Sequence, residues 1–535
     1  MDDVGKITHL TQHPWLADIG FNAKTRLNQD ANFRDLLFDY VEAITQKALP
    51  NKFNSFSHFG NQLLDWECYE LARQIYVLGL GKEDQAIIWN NFGFSYVKQG
   101  RHEEALSYFR AALKINPSLQ LAINNLAAAL INQALKLFNL DGKDNLDRAE
   151  KLLFESLSVK PDHDWALLNL GNTWRKKGSV HKAIFWFELA LQANPDYAVA
   201  HNNLSHAYLI TGDFKKGFAH YEQRWFTADF PSKSARFTDR TYWDGKENLN
   251  GRTILLHWEQ GFGDMIQFCR YTHLLKRAYP EARIILETMP PLLDLFGQFV
   301  SSEGFEKATV KQTPTYPVDQ LISNDRKLQV DLKIDYVYPL MSLAKIFTQD
   351  EASIPVNFAY LLRPQANESW KDFLKEHRVK GRRLIGINWA GRPTHGNDKH
   401  RSMHLKELKA FIESQEFSGD LFLSFQDGIA KQQIAELKLE SRVIDVSERI
   451  KSFSDTAMML ADLDWLISID SANLHLAGAL GVKSIALIAV RSDFRWLLDR
   501  SDSPWYPSMH LLRQKQELIW DDLAPRITKV IADNS

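Results

Sequence analysis

Between about residues 53 and 226, apolar residues recur at helical spacing and are punctuated by glycines and prolines at regular distances. Gly100, Gly178 and Gly212 stand 78 and 34 residues apart, and 78 is 34 plus 44. Asn91, Asn125, Asn169 and Asn203 step by 34, 44 and 34, and Pro117, Pro161 and Pro195 by 44 and 34. Each proline closes a helical pattern, as a residue lacking an amide proton does. The first part of the chain therefore reads as a 34-residue repeat of helix pairs, one copy carrying ten extra residues around Phe138–Asn145. From Arg252 the pattern changes to short, β-branched apolar runs: TILLHW, RIILE, RRLIGINWAG, LFLSFQDG, RVIDV, LDWLISID and KSIALIAV. Helical stretches separate them, the first running from Met265 to about Arg277. That alternation predicts parallel sheets in two doubly wound lobes, about 252–365 and 380–535.

The clearest repeat places Trp89, Phe92, Gly93 and Tyr96 before Gly100, and Ala105, Phe109, Ala112 and Pro117 after it. This matches the tetratricopeptide pattern nearly position by position. Four copies are clear. A fifth, around Phe53–Glu83, keeps Trp66, Tyr69, Ala72 and Tyr76 at helical spacing while its glycines have drifted, so a capping copy is expected there. The segments follow as 1–50, a helical lead-in; 51–226, the α-solenoid; 227–251, a linker; then the two lobes. Stacked helix pairs offer a concave surface for an extended ligand, and amides at one equivalent position could line it as donors and acceptors. Asn91, Asn125, Asn169 and Asn203 are the candidate acceptor-binding residues, with Asn90, Asn124 and Asn202 beside them. The alternative is that these amides bond neighbouring helices. The linker contains Phe230, Phe237, Tyr242 and Trp243 and is expected to pack against both parts rather than hang free.

Composition narrows the classes. Charged residues make up 24% and hydrophobic residues 45% of 535, a globular balance. A net charge of −2 gives none of the basic excess that drives nucleic-acid binding. The two cysteines, Cys68 and Cys269, provide no disulfide framework and no thiolate metal cage. The start MDDVGKITHL has neither the basic nor the apolar region of a secretory signal, and no uncharged apolar run reaches the roughly 18 residues of a membrane span. A cytoplasmic chain without a transmembrane segment is expected.

The candidate chemistry lies just after strands, where open α/β sheets bind ligands. Gly261-Phe262-Gly263-Asp264 follows the first strand but lacks the third glycine of a dinucleotide fingerprint, leaving a tight turn that delivers Asp264 to a helix start. Asp264 could equally be a plain helix cap. Trp389–Ser402 is a glycine-containing loop with Arg392, Lys399 and Arg401, suited to clamping a diphosphate. Asp470, Ser471, Ala472, Asn473 and His475 span a strand end and helix start whose free amides form an anion site. His395, His400 and His404 invite a metal reading, but their spacing on a loop disfavours it. Asp462 and Asp464 form an Asp-x-Asp pair that precedes a strand, away from the expected cleft.

Taken together, QGFGD, WAGRPTHGNDKHRS, SFQDG, DSANLHLAGALG and SDSPWYP resemble the ADP-heptose transferase family of two-lobed GT-B enzymes, here behind tetratricopeptide repeats. The resemblance implies a fold of α-solenoid followed by a GT-B pair of Rossmann-like lobes. It also implies a bacterial repeat-linked glycosyltransferase with no cofactor, the nucleotide-sugar being a substrate. Asp264 takes the place of the general base. Asp470, Ser471, Ala472 and His475 match the D-[ST]-G-x-x-H diphosphate motif, with alanine where glycine is usual. Arg401, or Lys399, matches the loop lysine, and Gln426 falls in the nucleoside region. The expected reaction moves a sugar from a nucleoside-diphosphate donor to a polypeptide presented by the repeats, with inversion and without a metal. The alternatives are a glycan or lipid-linked acceptor, with the repeats recruiting protein partners, or a degenerate scaffold.

Overall fold

The computed structural model describes residues 29–140, 142–227, 240–301, 316–324, 333–355, 359–394, 396–520 and 522–534, together with residues 10, 12 and 26. Packing divides it into two units, Met1–Asn203 and Leu204–Ser535.

The first unit is an array of antiparallel helix pairs. Gln85–Lys98 pairs with His102–Ile115, Gln120–Phe138 with Lys143–Val159, and Asp164–Lys176 with Val180–Ala193. Small residues set the close approach. A β-carbon on Gly93 would lie 2.6 Å from the Phe109 ring, and one on Gly171 only 2.3 Å from that of Phe187. The copy expected to be degenerate obeys the same rule: Gly60 sits 2.2 Å, by the same construction, from the ring of Tyr76. In all three, glycine and ring are sixteen residues apart, so the packing glycine has not drifted. What has changed is the turn. Gly100 and Gly178 end their helices with φ of 72° and 80°, and Glu67 occupies the corresponding place with φ of 64°. The reverse bonds are alike, Cys68 N–H to the Leu63 carbonyl at 2.8 Å and Arg101 N–H to that of Tyr96 at 3.0 Å.

The ten extra residues do not form a protruding loop. They lengthen the pair to 19 and 17 residues, against 14 and 14 in the preceding one. The 19-residue helix Gln120–Phe138 is long and apolar enough to cross a membrane by composition, but half of its most apolar window is buried within the protein. Its apolarity is that of a core helix packed on both sides.

The second unit holds two wholly parallel sheets. The first contains β1 (Thr253–His257), β2 (Arg283–Thr288), β3 (Gln320–Ser323) and β4 (Tyr336–Pro339), in the order β3-β2-β1-β4. The second contains β5 (Leu384–Asn388), β6 (Leu421–Ser424), β7 (Val443–Asp445), β8 (Trp465–Ile469), β9 (Ser484–Ile488) and β10 (Met509–Arg513), in the order β10-β9-β8-β5-β6-β7. β5, β8 and β9 are buried along their whole length, as strands covered on both faces must be. The chain order reverses between β1 and β4 and between β5 and β8, so the crevices beyond the carboxyl ends of these strands are the places for ligands. Two Rossmann-like lobes facing one another make the GT-B architecture.

Three differences from the sequence-based expectation have physical causes. The helix expected from Met265 to Arg277 is two, Phe262–Phe268 and Tyr271–Ala278. Side chains interrupt it: Cys269 Sγ donates to the Ile266 carbonyl at 3.1 Å and Arg270 Nε to that of Gln267 at 2.9 Å. β3, β4 and β10 were not anticipated. The unit boundary lies at residues 203/204 rather than 226/227, because helix Phe214–Tyr221 buries Phe214 and Phe218 against Trp505 of the second lobe. Of the linker, residues 228–239 lie outside those described. Trp243 beyond them is buried against Tyr338, and Phe226 before them is 64% exposed.

Both cysteines are buried and unpaired. Burial pushes the Cys68 thiol up to about 12 and raises that of Cys269 as well.

Candidate functional site

The loop after β1 carries Asp264 three residues past Gly261, in the first turn of Phe262–Phe268. The carboxylate is not the cap residue itself. One oxygen, Oδ2, accepts the Gly261 amide at 2.8 Å, and the other, Oδ1, pairs with the guanidinium of Arg495. Arg495 comes from the loop after β9, in the opposite lobe. It also bonds Asp493 Oδ1 at 2.8 Å and Gln267 Oε1, with its guanidinium 4.5 Å from the Phe494 ring centroid. Burial opposes its charge, but Asp493 and Asp264 hold its pKa above the ordinary arginine value. The motif SDSPWYP and this arginine share one chain segment, yet Arg495 itself gave no signal: a lone arginine between aromatics reads as surface or core with equal ease.

Facing this turn is helix Ala472–Leu480, which begins immediately after β8. Ser471 caps it, accepting the Leu474 amide at 3.4 Å and donating to Asn388 Oδ1 at 3.1 Å. His475 is buried one turn in. Its Nδ1 lies 2.8 Å from Tyr506 Oη, its Nε2 3.6 Å from Asp470 Oδ1, and its ring stacks on Trp496 at 5.5 Å. Burial works to raise the pKa of Asp470, but the His475 ring and the Arg401 charge bring it below the ordinary aspartate value. Arg401 is anchored by Nη1 on the Asp470 carbonyl at 2.9 Å and by Nε on Asp398 at 3.3 Å. Asp398 in turn accepts Ser402 Oγ at 2.9 Å, whose oxygen takes the Gly391 amide at 2.8 Å. The loop after β5 is thereby folded back onto the start of the histidine-bearing helix. Arg392 and Lys399, on the same loop, are exposed.

Ala472 and Asn473 are half-buried at the helix start. Gln426 is buried and its amide is committed to the protein: Oε1 accepts the Ala390 amide at 2.8 Å and Asn388 Nδ2 at 2.9 Å, and Nε2 donates to the Asp427 carbonyl at 3.0 Å. It ties the ends of β5 and β6 together and bears on a nucleoside only through that loop. Asn388, which sequence reasoning passed over as part of a strand, joins the ends of β5 and β6 to Ser471.

The two lobes meet at this point. A β-carbon on Gly263 would fall 2.8 Å from His475 Cδ2, so the Gly-Asp turn and the histidine-bearing helix are in direct contact. Of the metal candidates, His395 lies outside the described residues, His400 pairs with Glu517 at 2.7 Å, and His404 Nδ1 accepts the Lys406 amide at 3.1 Å. Among the described residues no group of three or more His, Cys, Asp or Glu side chains could hold a metal ion. Asp462 and Asp464 bind Arg363, Trp370, Arg378 and the Leu384 amide at the opposite end of the second sheet.

In the first unit, the four asparagines bond within the array. Asn91 Oδ1 accepts Asn90 Nδ2 at 3.3 Å, whose own Oδ1 accepts Asn125 Nδ2 at 2.8 Å. Asn169 Nδ2 donates to the Trp165 carbonyl at 2.8 Å, and Asn203 Nδ2 to Asn172 at 3.1 Å. Asn91 and Asn169 are buried, whereas Asn125 and Asn203 are half-buried.

Residues 86–119 and 166–197 match tetratricopeptide-repeat models. The chain joins a tetratricopeptide array to a unit of GT-B glycosyltransferase fold. Among curated proteins it is 24% identical over 482 residues to protein FlbA of Caulobacter vibrioides, covering 87% of this chain and 76% of that protein. It is 26% identical over 181 residues to the human protein O-mannosyl-transferase TMTC1, covering 29% of this chain and 20% of that protein. Among solved structures, a family 9 glycosyl transferase of Veillonella parvula aligns with 54% of this chain and 91% of its own, at 14% identity and a TM-score of 0.35.

Proposed function

We propose that the second unit transfers a sugar from a nucleoside-diphosphate donor to an acceptor hydroxyl, and that the repeats bind the polypeptide acceptor. The observation that carries this reading is the contact between the Gly-Asp turn of the first lobe and His475 in the second. It puts a carboxylate on one side of a crevice. On the other side are a capped helix start, Arg401 and the basic loop.

The chemistry follows from charge. As the bond between the anomeric carbon and the diphosphate oxygen breaks, the sugar becomes oxocarbenium-like and the leaving group gains negative charge. Arg401, Ser471 and the helix amides stabilise that charge in a site fixed before the reaction. Asp264 accepts the proton of the incoming hydroxyl as its oxygen bonds to the anomeric carbon. With base and leaving group on opposite faces, configuration inverts. Protein cations serve the diphosphate, so the reaction as proposed uses no metal. Closure of the lobes excludes water that would hydrolyse the donor.

A second reading keeps the chemistry and changes the acceptor to a glycan or lipid-linked sugar, the repeats then recruiting proteins. The bonding of Asn91, Asn169 and Asn203 within the array favours it, since amides engaged with neighbours are less available to a peptide backbone.

A thermal-shift panel of nucleoside diphosphates and nucleotide-sugars tests the first step, because a bound ligand raises the melting temperature by mass action. A shift with at least one is expected. Asp264→Asn should then abolish transfer while leaving nucleotide affinity within a few-fold, and Arg401→Ala should weaken nucleotide binding tenfold or more. Absence of any shift, or full transfer by the Asp264 variant, overturns the reading.

A further inference from the structure

The loop Glu259-Gln260-Gly261, between β1 and the helix that bears Asp264, has no regular structure, and side chains fix it. The Glu259 side chain is fully buried, and both its oxygens accept Arg224 Nη2 at 2.8 Å; its Oε1 also accepts the Trp225 indole N–H at 3.0 Å. Gln260 Nε2 donates to Tyr221 Oη at 2.8 Å. Gly261 is held by Asp264 itself. Two of these three anchors come from Tyr221–Trp225, the short stretch that closes the last repeat's second helix.

The same stretch reaches the other support of Asp264. Phe218 and Tyr221 meet the Phe494 ring edge-on at 6.5 and 6.3 Å, and the next residue, Arg495, is the cation paired with Asp264. The Arg224–Glu259 pair is completed by Arg224 Nη2 donating to Ser342 Oγ at 2.9 Å, beyond β4. A buried carboxylate persists only when it meets a cation in good geometry; Arg224 keeps Glu222 at 3.1 Å, but Glu259 would be left stranded if the loop took another path. The apolar faces of Phe214 and Phe218 are likewise covered by Trp505.

We infer that Tyr221, Arg224 and Trp225 are positioning residues for the Asp264 loop, so that the last repeat's second helix and the turn after it form part of the transferase machinery rather than its tether. The inference rests on Asp264 being the proton acceptor, and it adds where that residue's position is set.

The test uses the full chain carrying Trp225→Phe, which removes the indole N–H and leaves a smaller aromatic ring, and the double variant with Tyr221→Phe. Hydrogen exchange across 257–266 should quicken tenfold or more in the double variant while β8 keeps its protection. Transfer should fall at least tenfold, with nucleoside-diphosphate affinity within twofold and the single variant intermediate. Unchanged exchange at 257–266, or wild-type transfer by the double variant, overturns the inference. Quickened exchange in a chain whose unaltered form binds no nucleotide and transfers nothing would sink the glycosyltransferase reading and leave the anchoring of the loop supported.

Discussion

Gly263 and His475 touch where the two lobes meet, with no room for a methyl group, a β-carbon on the glycine falling 2.8 Å from His475 Cδ2. Gly263→Ala should therefore displace the ring from Tyr506 and Trp496 and separate the lobes slightly, at a cost of about 1–3 kcal/mol for overpacking. Both nucleotide affinity and transfer should fall, tenfold or more for transfer. Asp264→Asn, in contrast, should spare affinity. Titration calorimetry of the two variants side by side separates them, and wild-type affinity in Gly263→Ala would show the contact to be dispensable.

Gly171 stands in the same relation to Phe187 inside the repeats, with only 2.3 Å available to a β-carbon. Gly171→Ala should lower stability by about 1–3 kcal/mol. Phe187→Leu should relieve part of that loss, giving the double variant a coupling energy above about 0.5 kcal/mol. Urea unfolding of the four proteins in this cycle measures it, and strict additivity would mean the two residues do not meet.

At Glu67 the direction is reversed. Its φ of 64° is one that glycine adopts without cost and that other residues hold at about 1–2 kcal/mol. Glycine returns roughly 0.5–1 kcal/mol of this through its freer unfolded chain. Glu67→Gly should thus stabilise by up to about 1 kcal/mol, visible as a higher urea midpoint at unchanged slope.

Acid should weaken the fold before its carboxylates titrate. His102, His163 and His400 are each held below the ordinary 6.5, chiefly by burial, with Lys136, Lys160 and Arg491 respectively adding to it. A depressed histidine is protonated first in the unfolded chain, so its contribution is whole above 6.5 and drains away as pH falls through and below that value. Melting temperatures should decline from about pH 7.5 to pH 5.5. Replacing His102, His163 and His400 together with glutamine should flatten that decline, and an unaltered slope would refute the assignment.

How much of this was legible in the sequence depended on periodicity. Gly93 and Phe109, or Gly100 and Gly178, recur at fixed distances, and the repeat could be read from them. The fifth copy was misjudged because its turn glycine became Glu67, although Gly60 kept the packing role. Strands β1, β5, β8 and β9 are continuous apolar runs, as two-sided burial demands. β3 and β4 are four residues each, QLIS and YVYP, too short for either period to show. At the candidate site, Asp264, Arg401 and His475 could be singled out in the sequence because each lies in a segment that follows a strand. Arg495 and Arg224 were not, since what makes them matter is a partner 231 and 35 residues away.

One modest feature of the composition has a practical use. Because Cys68 and Cys269 are both enclosed and their thiols resist ionisation, the native chain should react slowly with maleimides and similar reagents. A pair of cysteines engineered on the surface, one in the repeats and one in the second lobe, would be the sole labelling sites on an otherwise untouched background. Fluorophores placed there could follow the separation of the two units as donor and acceptor are added.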